Sequence, residues 1–278
     1  MTDSSPPAGM IDWHCHILPG LDDGAATAEE ALEMAAILSA VGFSHIHCTP
    51  HRIKGCFDAD NRAVTAAVAA LQAAIRRAGL SLTLLPGREY SLDEFFPGYL
   101  RDPMPLGATN YLLLEVPGQV EAGLVKETCR RIVTAGYVPL IAHPERSPLF
   151  SLPARKTRGV LSSLQGLFSS SPTEKEGNRL LVDYLRGLGC GFQGNASSFT
   201  GMYGPRAGRR AVRLREEGLY TCFGTDAHAA GQLRHYFARD ALAIGGERLR
   251  PAALFSTATK GCPAETGGAD GERPLHGA

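Results

Sequence analysis

No apolar run in this chain approaches the roughly 20 residues that a membrane-spanning helix needs, so no bilayer crossing is expected. Residues 1–9 are polar and rich in Pro and Ser, with neither a basic stretch nor an apolar segment, and no secretory signal is expected. An excess of one charge is also missing. The 28 Lys and Arg balance 28 Asp and Glu, which removes any bulk attraction to nucleic acid or an anionic surface. Cysteine pairing is absent too: Cys15, Cys48, Cys56, Cys129, Cys190, Cys222 and Cys262 are scattered, odd in number and never spaced as CxxC. That pattern suits reduced thiols in a cytoplasm, the expected location, better than a disulfide framework or a zinc finger. Finally, no Gly-x-Ser-x-Gly elbow, Walker A loop or Gly-x-Gly-x-x-Gly turn occurs at a strand–helix junction, which leaves serine hydrolases, NTPases and dinucleotide binders unsupported.

What is present is a β–α rhythm. With 278 residues and 44% apolar content, the chain has material for one α/β barrel. Short apolar runs predict strands at Ile11–His14, His45–Cys48, Ser81–Leu85, Tyr111–Val116, Val138–Ala142, Cys190–Gln193 and Leu219–Phe223. Amphipathic stretches lie between them, at about 27–41, 61–78, 120–135, 175–188 and 205–217. The first opens on a Thr27/Glu30 capping box and is expected to turn Leu32, Ala35, Ile37, Leu38 and Val41 inward. Gly42, Gly79, Gly136, Gly189 and Gly218 close these stretches, as left-handed helix stops do. Parallel neighbours need crossover helices, so the repeat implies a parallel sheet. Polar residues collect at strand C-termini, the face where barrel active sites assemble, and this favours a barrel over an open sheet. A single catalytic domain over residues 10–262 is expected, with a Ser/Gly/Lys-rich surface insertion at 155–177 and a disordered tail at 263–278.

Those strand ends carry the chemistry. In order they give Asp12-x-His14-x-His16, Asp22-Asp23-Gly24, Thr49-Pro50-His51, Gly87-Arg88-Glu89, Glu115, Ala142-His143-Pro144-Glu145-Arg146 and Thr225-Asp226-x-His228. Residues two apart on a strand point to the same face, so His14 and His16 form a pair, and Asp226 and His228 repeat the spacing on the last strand. A lone strand-end histidine is more often structural than a ligand. Five of the nine histidines at strand ends beside carboxylates is a different pattern, the donor set of a Mn, Fe or Zn site. Asp12 is expected to orient a histidine rather than bind metal. His45 and His47, before the end of their strand, are read as packed residues, and His235 and His276 receive no role. Cys56-x5-Arg62 matches the bare spacing of cysteine phosphatases, but its interval Phe-Asp-Ala-Asp-Asn has two carboxylates and no glycine. Those charges would repel phosphate and oppose thiolate formation, so Cys56 is rejected as a nucleophile.

Taken together, these motifs in this order resemble the PHP (polymerase and histidinol phosphatase) superfamily. The fuller strings from His14 to Gly24 and from Ala142 to Arg146 are similar to the bacterial manganese-dependent tyrosine-protein phosphatases of the CpsB/YwqE type, which are encoded with capsule or exopolysaccharide genes. The resemblance runs from about Met10 to His228. It implies a distorted (β/α)7 TIM-like barrel, the PHP fold, holding three Mn2+ ions, with Fe or Zn also compatible. One ion would take His14, His16, Glu89 and Asp226. A second would take Glu115 and His143 with Glu89 bridging, and the third Asp23, His51 and His228. Asp23 is preferred to Asp22 on family register. Metal-bound hydroxide would then attack phosphorus in line. Arg146 is the expected phosphoryl-binding arginine, with Arg206, at the start of a helix, a weaker candidate. Gln193 and Asn195 are read with equal weight as lining the site and as satisfied loop-turn residues. The resemblance implies a phosphotyrosine protein substrate, expected to be a bacterial tyrosine autokinase. Histidinol phosphate or another small phosphomonoester is the alternative, and a non-catalytic phosphoprotein-binding module would need a gap among the ligands. None of the nine positions is vacant.

Overall fold

Short β-forming runs and long amphipathic ones alternate along the chain, and each takes the form its period favours. The protein is described here by a computed structural model, over residues 9–153, 174–238, 243–244, 247–248 and 250–255. The strands that build the site are β1 (Met10–Cys15), β2 (Phe43–Cys48), β3 (His51–Arg52), β4 (Thr83–Pro86), β5 (Glu89–Ser91), β6 (Tyr111–Glu115), β7 (Val138–Ala142), β8 (Gly191–Asn195) and β9 (Cys222–Gly224). The helices between them are α1 (Ala28–Val41), α2 (Asn61–Arg77), a single turn α3 (Phe96–Tyr99), α4 (Ala122–Thr134), α5 (Glu174–Gly187), α6 (Gly204–Glu216) and α7 (Ala230–Phe237).

Every ladder among these nine strands is parallel, in two sheets ordered β1-β2-β4 and β3-β5-β6-β7-β8-β9. Only Thr49-Pro50 separates β2 from β3, and only Gly87-Arg88 separates β4 from β5. Pro50 has no N–H to donate, so a ladder breaks where it stands. Each broken pair continues one line of strand from the first sheet into the second. The last strand returns to the first through a parallel bridge between Cys15 and Ala227, with His16 N–H donating to Ala227 O at 3.0 Å and Asp226 N–H to His14 O at 2.7 Å. The architecture is therefore an α/β barrel closed by a short seam.

Side-chain packing accounts for the helices. At the start of α1, Thr27 accepts from Glu30 N–H, while the Glu30 carboxylate reaches back to Ala26 N–H. Its buried stripe is Ala31, Met34, Ala35 and Leu38; the expected Leu32, Ile37 and Val41 only flank it. The inward stripe is thus displaced around the helix from the expected one, with the small Ala31 and Ala35 on its buried side. The helix ends at Gly42, whose φ of 106° suits a residue without a Cβ. One apolar cluster packs α1 and α2 on β1, β2 and β4, and a second packs α4 and α5 on β6 to β8. A third joins Trp13, Leu113, Leu140, Ala142 and Cys222 from four strands, which fills the barrel interior below the site. Among the described residues, no helix is long and apolar enough to cross a membrane. The predicted tail at 263–278 lies outside the described residues. So does the predicted insertion, apart from Glu174–Gly177, which begins α5.

Candidate metal centre

The upper rim of the barrel gathers the predicted donors. His14 on β1 and His16 just beyond it turn their Nε2 atoms toward one another at 3.0 Å. Glu89 Oε2, from β5, stands 3.1 Å from His14 Nε2 and 3.2 Å from His16 Nε2. Asp226 Oδ1, past β9, stands 3.2 and 3.3 Å from the same two nitrogens. These four residues, all buried, offer donor atoms within 4.8 Å of one another. A second group of that kind joins His16, Asp23, His51 and His228, and a third joins His51, Glu89 and Glu115.

Two imidazole nitrogens face to face need an explanation, and the hydrogen bonds behind them supply it. His14 Nδ1 lies 2.8 Å from Gln193 Oε1, whose amide nitrogen is committed to Gly194 O and Asn195 Oδ1. His16 Nδ1 lies 2.7 Å from Asp22 Oδ2. With their protons on Nδ1, both rings present bare lone pairs at Nε2. Two lone pairs and two carboxylate oxygens converging on one point repel each other unless a cation sits among them. Buried Glu89 Oε2 and His51 Nδ1 stand 3.2 Å apart, yet neither makes a hydrogen bond of good geometry. The donor set therefore fits a divalent metal: imidazole and carboxylate, with acceptors orienting the rings from behind.

Electrostatics agree. Burial opposes charge on His14 and His16, yet the surrounding carboxylates outweigh it and hold both imidazoles above their ordinary range. Burial likewise acts against ionised Glu89 and Asp226, but the histidines around them keep both well below the usual carboxylate range. Burial and the neighbouring Glu89 charge push Glu115 up to about 7. His143 is driven down to about 4 by burial and by Arg146. Without a cation, the carboxylates draw protons onto His14 and His16, and a cation would take their place.

Backbone geometry holds the donors in place. His143 and Asp226 have φ values of 31° and 52°, the only positive values among described residues other than glycine. Such conformations cost roughly 1–3 kcal/mol each and persist where the surroundings impose them. Gly24 and Gly224 permit two close approaches: a Cβ on Gly224 would come within 2.4 Å of His14 Cβ, and one on Gly24 within 2.1 Å of His16 O. The donors open into a cavity of about 440 Å³ whose walls include Asp23, Glu115, His143, Arg146 and Tyr203. Arg146 donates to Asp226 Oδ2 at 2.9 Å and lies over the Tyr203 ring at 4.5 Å, rather than pairing with its neighbour Glu145. Glu145 is turned away and buried, accepting from Asn195 N–H, Ser198 and Tyr220.

All nine expected donors thus line one rim, with some differences of grouping. His143 Nε2 contacts Glu89 Oε1 at 3.0 Å, but the group that contains Glu115 includes His51 instead. Asp226 and His228 are not on a strand face as their spacing implied; β9 ends at Gly224, and the left-handed Asp226 aims the pair. Asp12 does not orient an imidazole. It accepts from Thr225 N–H, Thr225 Oγ1 and His14 N–H, so it pins the seam between β1 and the segment after β9. Arg206 lies outside the cavity, on a neighbouring cleft. Gln193 and Asn195 are buried supports, Gln193 behind His14 and Asn195 donating to Asp226 Oδ2 at 2.7 Å. His47 is packed in the interior, stacked on Trp13 at 4.6 Å, and Cys56 is exposed. Sequence reasoning missed Asp22 as the partner of His16, although a tandem Asp-Asp after His-x-His was available as a signal. Tyr203 gave no signal; only the path of the chain into α6 brings it to the cavity.

Comparison with known proteins places this rim in context. The family described as "Capsular polysaccharide synthesis, CpsB/CapC" matches residues 10–156. The tyrosine-protein phosphatase YwqE of Bacillus subtilis (strain 168) is 28% identical over 237 residues, spanning 84% of this chain and 83% of that one. The putative tyrosine-protein phosphatase CapC of Staphylococcus aureus is 25% identical over 222 residues, 79% of this chain and 77% of its own. A crystal structure from work on YwqE of Bacillus subtilis and CpsB of Streptococcus pneumoniae, described as unique metal-dependent tyrosine phosphatases, superposes with a TM-score of 0.64 at 26% identity. It covers 86% of this chain and 88% of that one.

Proposed function

The chain belongs to the CpsB/CapC family of capsular polysaccharide synthesis, and on that premise we propose that it is a metal-dependent phosphatase that hydrolyses phosphotyrosine on proteins. The observation that carries the reading is the convergence of His14 Nε2, His16 Nε2, Glu89 Oε2 and Asp226 Oδ1 on one point, with both rings oriented from behind. In our reading His14, His16, Asp23, His51, Glu89, Glu115, His143, Asp226 and His228 hold three divalent ions. Manganese is the proposed metal, and iron or zinc suits the same donors. Bound there, such ions supply Lewis acidity toward a phosphoryl oxygen and make water nucleophilic near neutral pH.

The chain's own residues do the rest. Gln193 and Asp22 keep the two imidazoles in the tautomer that presents a lone pair. Arg146, held by Asp226 and the Tyr203 ring with its side chain partly exposed to the cavity, offers its remaining N–H groups to phosphoryl oxygens. Substrate enters from outside, so a tyrosine on a protein segment can present its phosphate without unfolding the barrel. The proposed partner is a bacterial tyrosine autokinase that controls capsule or exopolysaccharide synthesis; the phosphatase names of the relatives support a phosphotyrosine protein, and the family description supports the link to capsule. The test compares hydrolysis of a phosphotyrosine peptide with that of histidinol phosphate, with added Mn, after thorough chelation, and in His14→Ala. The expected result is Mn-dependent release of phosphate from the peptide, lost on chelation and in the variant. Activity that survives complete metal removal would falsify the reading; a preference for histidinol phosphate would replace its substrate.

A further inference from the structure

Beside the metal rim, α6 carries a run of arginines that the proposed reaction does not use. Arg206, Arg209, Arg210 and Arg213 line a separate cleft over Phe150 and Leu214. Of these, Arg213 is neutralised by Glu217 and Glu216. Arg210 has no carboxylate within ion-pair distance among the described residues: its Nε donates to Glu145 O at 2.6 Å and its Nη2 to Arg146 O at 3.2 Å. Arg206 and Arg209 are exposed and have no partner among the described residues. Burial and the Arg206 charge lower Arg210, against the pull of Glu145. In a chain whose formal charges cancel overall, three arginines without a carboxylate in one cleft are a local excess of positive charge.

The position of the cleft says what it meets. Its Arg210 grips the backbone of Glu145 and Arg146, the same turn whose Arg146 side chain enters the metal cavity. The two recesses are thus the two sides of one turn. The cleft therefore adjoins the turn that carries Arg146, and an extended peptide advances roughly 3.3 Å for each residue that leads away from a tyrosine in the cavity. We propose that this arginine cleft binds an anionic stretch of the substrate protein, carboxylates or a further phosphate, flanking the phosphotyrosine. The apolar floor accommodates side-chain stems, while the guanidinium forks take the oxygens. The inference rests on the phosphotyrosine reading above, and it turns a general phosphatase into one selective for tyrosines in acidic surroundings.

The experiment uses the full chain loaded with Mn and two phosphotyrosine peptides that differ only in acidic against neutral flanking residues. The acidic peptide is expected to show about tenfold higher kcat/KM at low salt, a preference that shrinks as ionic strength rises. Arg206→Glu with Arg209→Glu should abolish that preference, and the corresponding double alanine variant should reduce it. Neither should alter hydrolysis of p-nitrophenyl phosphate, which is too small to reach the cleft. Equal kcat/KM for both peptides in the unaltered chain, or a preference that survives the charge reversal, overturns the proposal. Fluorescence anisotropy of an unphosphorylated acidic peptide decides the matter even if no phosphotyrosine is hydrolysed. Salt-sensitive binding that is lost in the double glutamate variant supports the cleft, and absence of binding removes it, whatever becomes of the phosphatase reading.

Discussion

Asp226 turns Oδ1 toward His14 and His16, while Oδ2 receives Asn195 at 2.7 Å, Arg146 at 2.9 Å and Tyr203 at 3.2 Å. One carboxylate thereby joins the donor cluster to the arginine proposed to meet phosphate. Its backing residues are the sensitive points. Gln193→Ala or Asp22→Ala should weaken Mn binding by about 10–100-fold, because an unsupported imidazole is free to rotate and to protonate at the wrong nitrogen. Titration of metal-free protein with Mn, followed by a metal-responsive dye, would read this directly. His47 makes a contrasting case. Its ring is fully buried with both nitrogens unpartnered, and burial drives it down to about 3. A group depressed on folding contributes stability that is present above its unfolded value near 6.5 and is lost as pH falls toward 3. For this shift the loss is at most about 5 kcal/mol at the acid end. His47→Leu should flatten the difference in urea stability between pH 6.5 and 3.5 relative to the unaltered chain; an unchanged slope would show that the ring stays solvated.

At the level of elements, the helices were the most legible part of the sequence, since a 3.6-residue period survives any error in tertiary arrangement. The predicted strands stop at Cys48 and Leu85, and their continuations β3 and β5 beyond Pro50 and Gly87-Arg88 went unread because they are polar and too short to show a period of two. α7 went unread because its stripe of Ala230, Leu233 and Tyr236 is brief. The candidate donors could be picked out because each strand end carries its own motif. Their grouping could not, since it depends on two left-handed residues that no spacing rule anticipates. Gly224 shows how tightly element ends are constrained. Gly224→Ala should destabilise the protein by about 1–3 kcal/mol, because the new methyl group meets His14 at a distance the strand cannot yield. Thermal denaturation with and without Mn would measure it, and the metal-induced gain in Tm should shrink as well, since His14 is the atom set displaced.

On the scale of the whole molecule, the proposed donors come from β1 and the segment after it, β3, β5, β6, the turn after β7 and the segment after β9, so bound ions would tie most of the barrel together. Ligands that bind only the folded state stabilise it by mass action, about 2.7 kcal/mol at a hundred times Kd. Chelation should therefore lower Tm by several degrees, and Zn added to the metal-free protein should restore Tm whether or not it restores turnover. A calorimetric melt that is indifferent to metal would sink the assignment of the rim. The seam between β1 and the segment after β9 has a consequence for how the protein is made. Cys15 and Ala227 lie 212 residues apart, and the rim needs residues from both sides of that join. During synthesis the first imidazoles leave the ribosome long before Asp226 exists. The growing chain then carries a partial chelating motif that can hold an ion only loosely, and the cage cannot close until Asp226 and His228 have emerged. An ion held in the closed cage is thus selected by the folded barrel rather than by the first histidine pair.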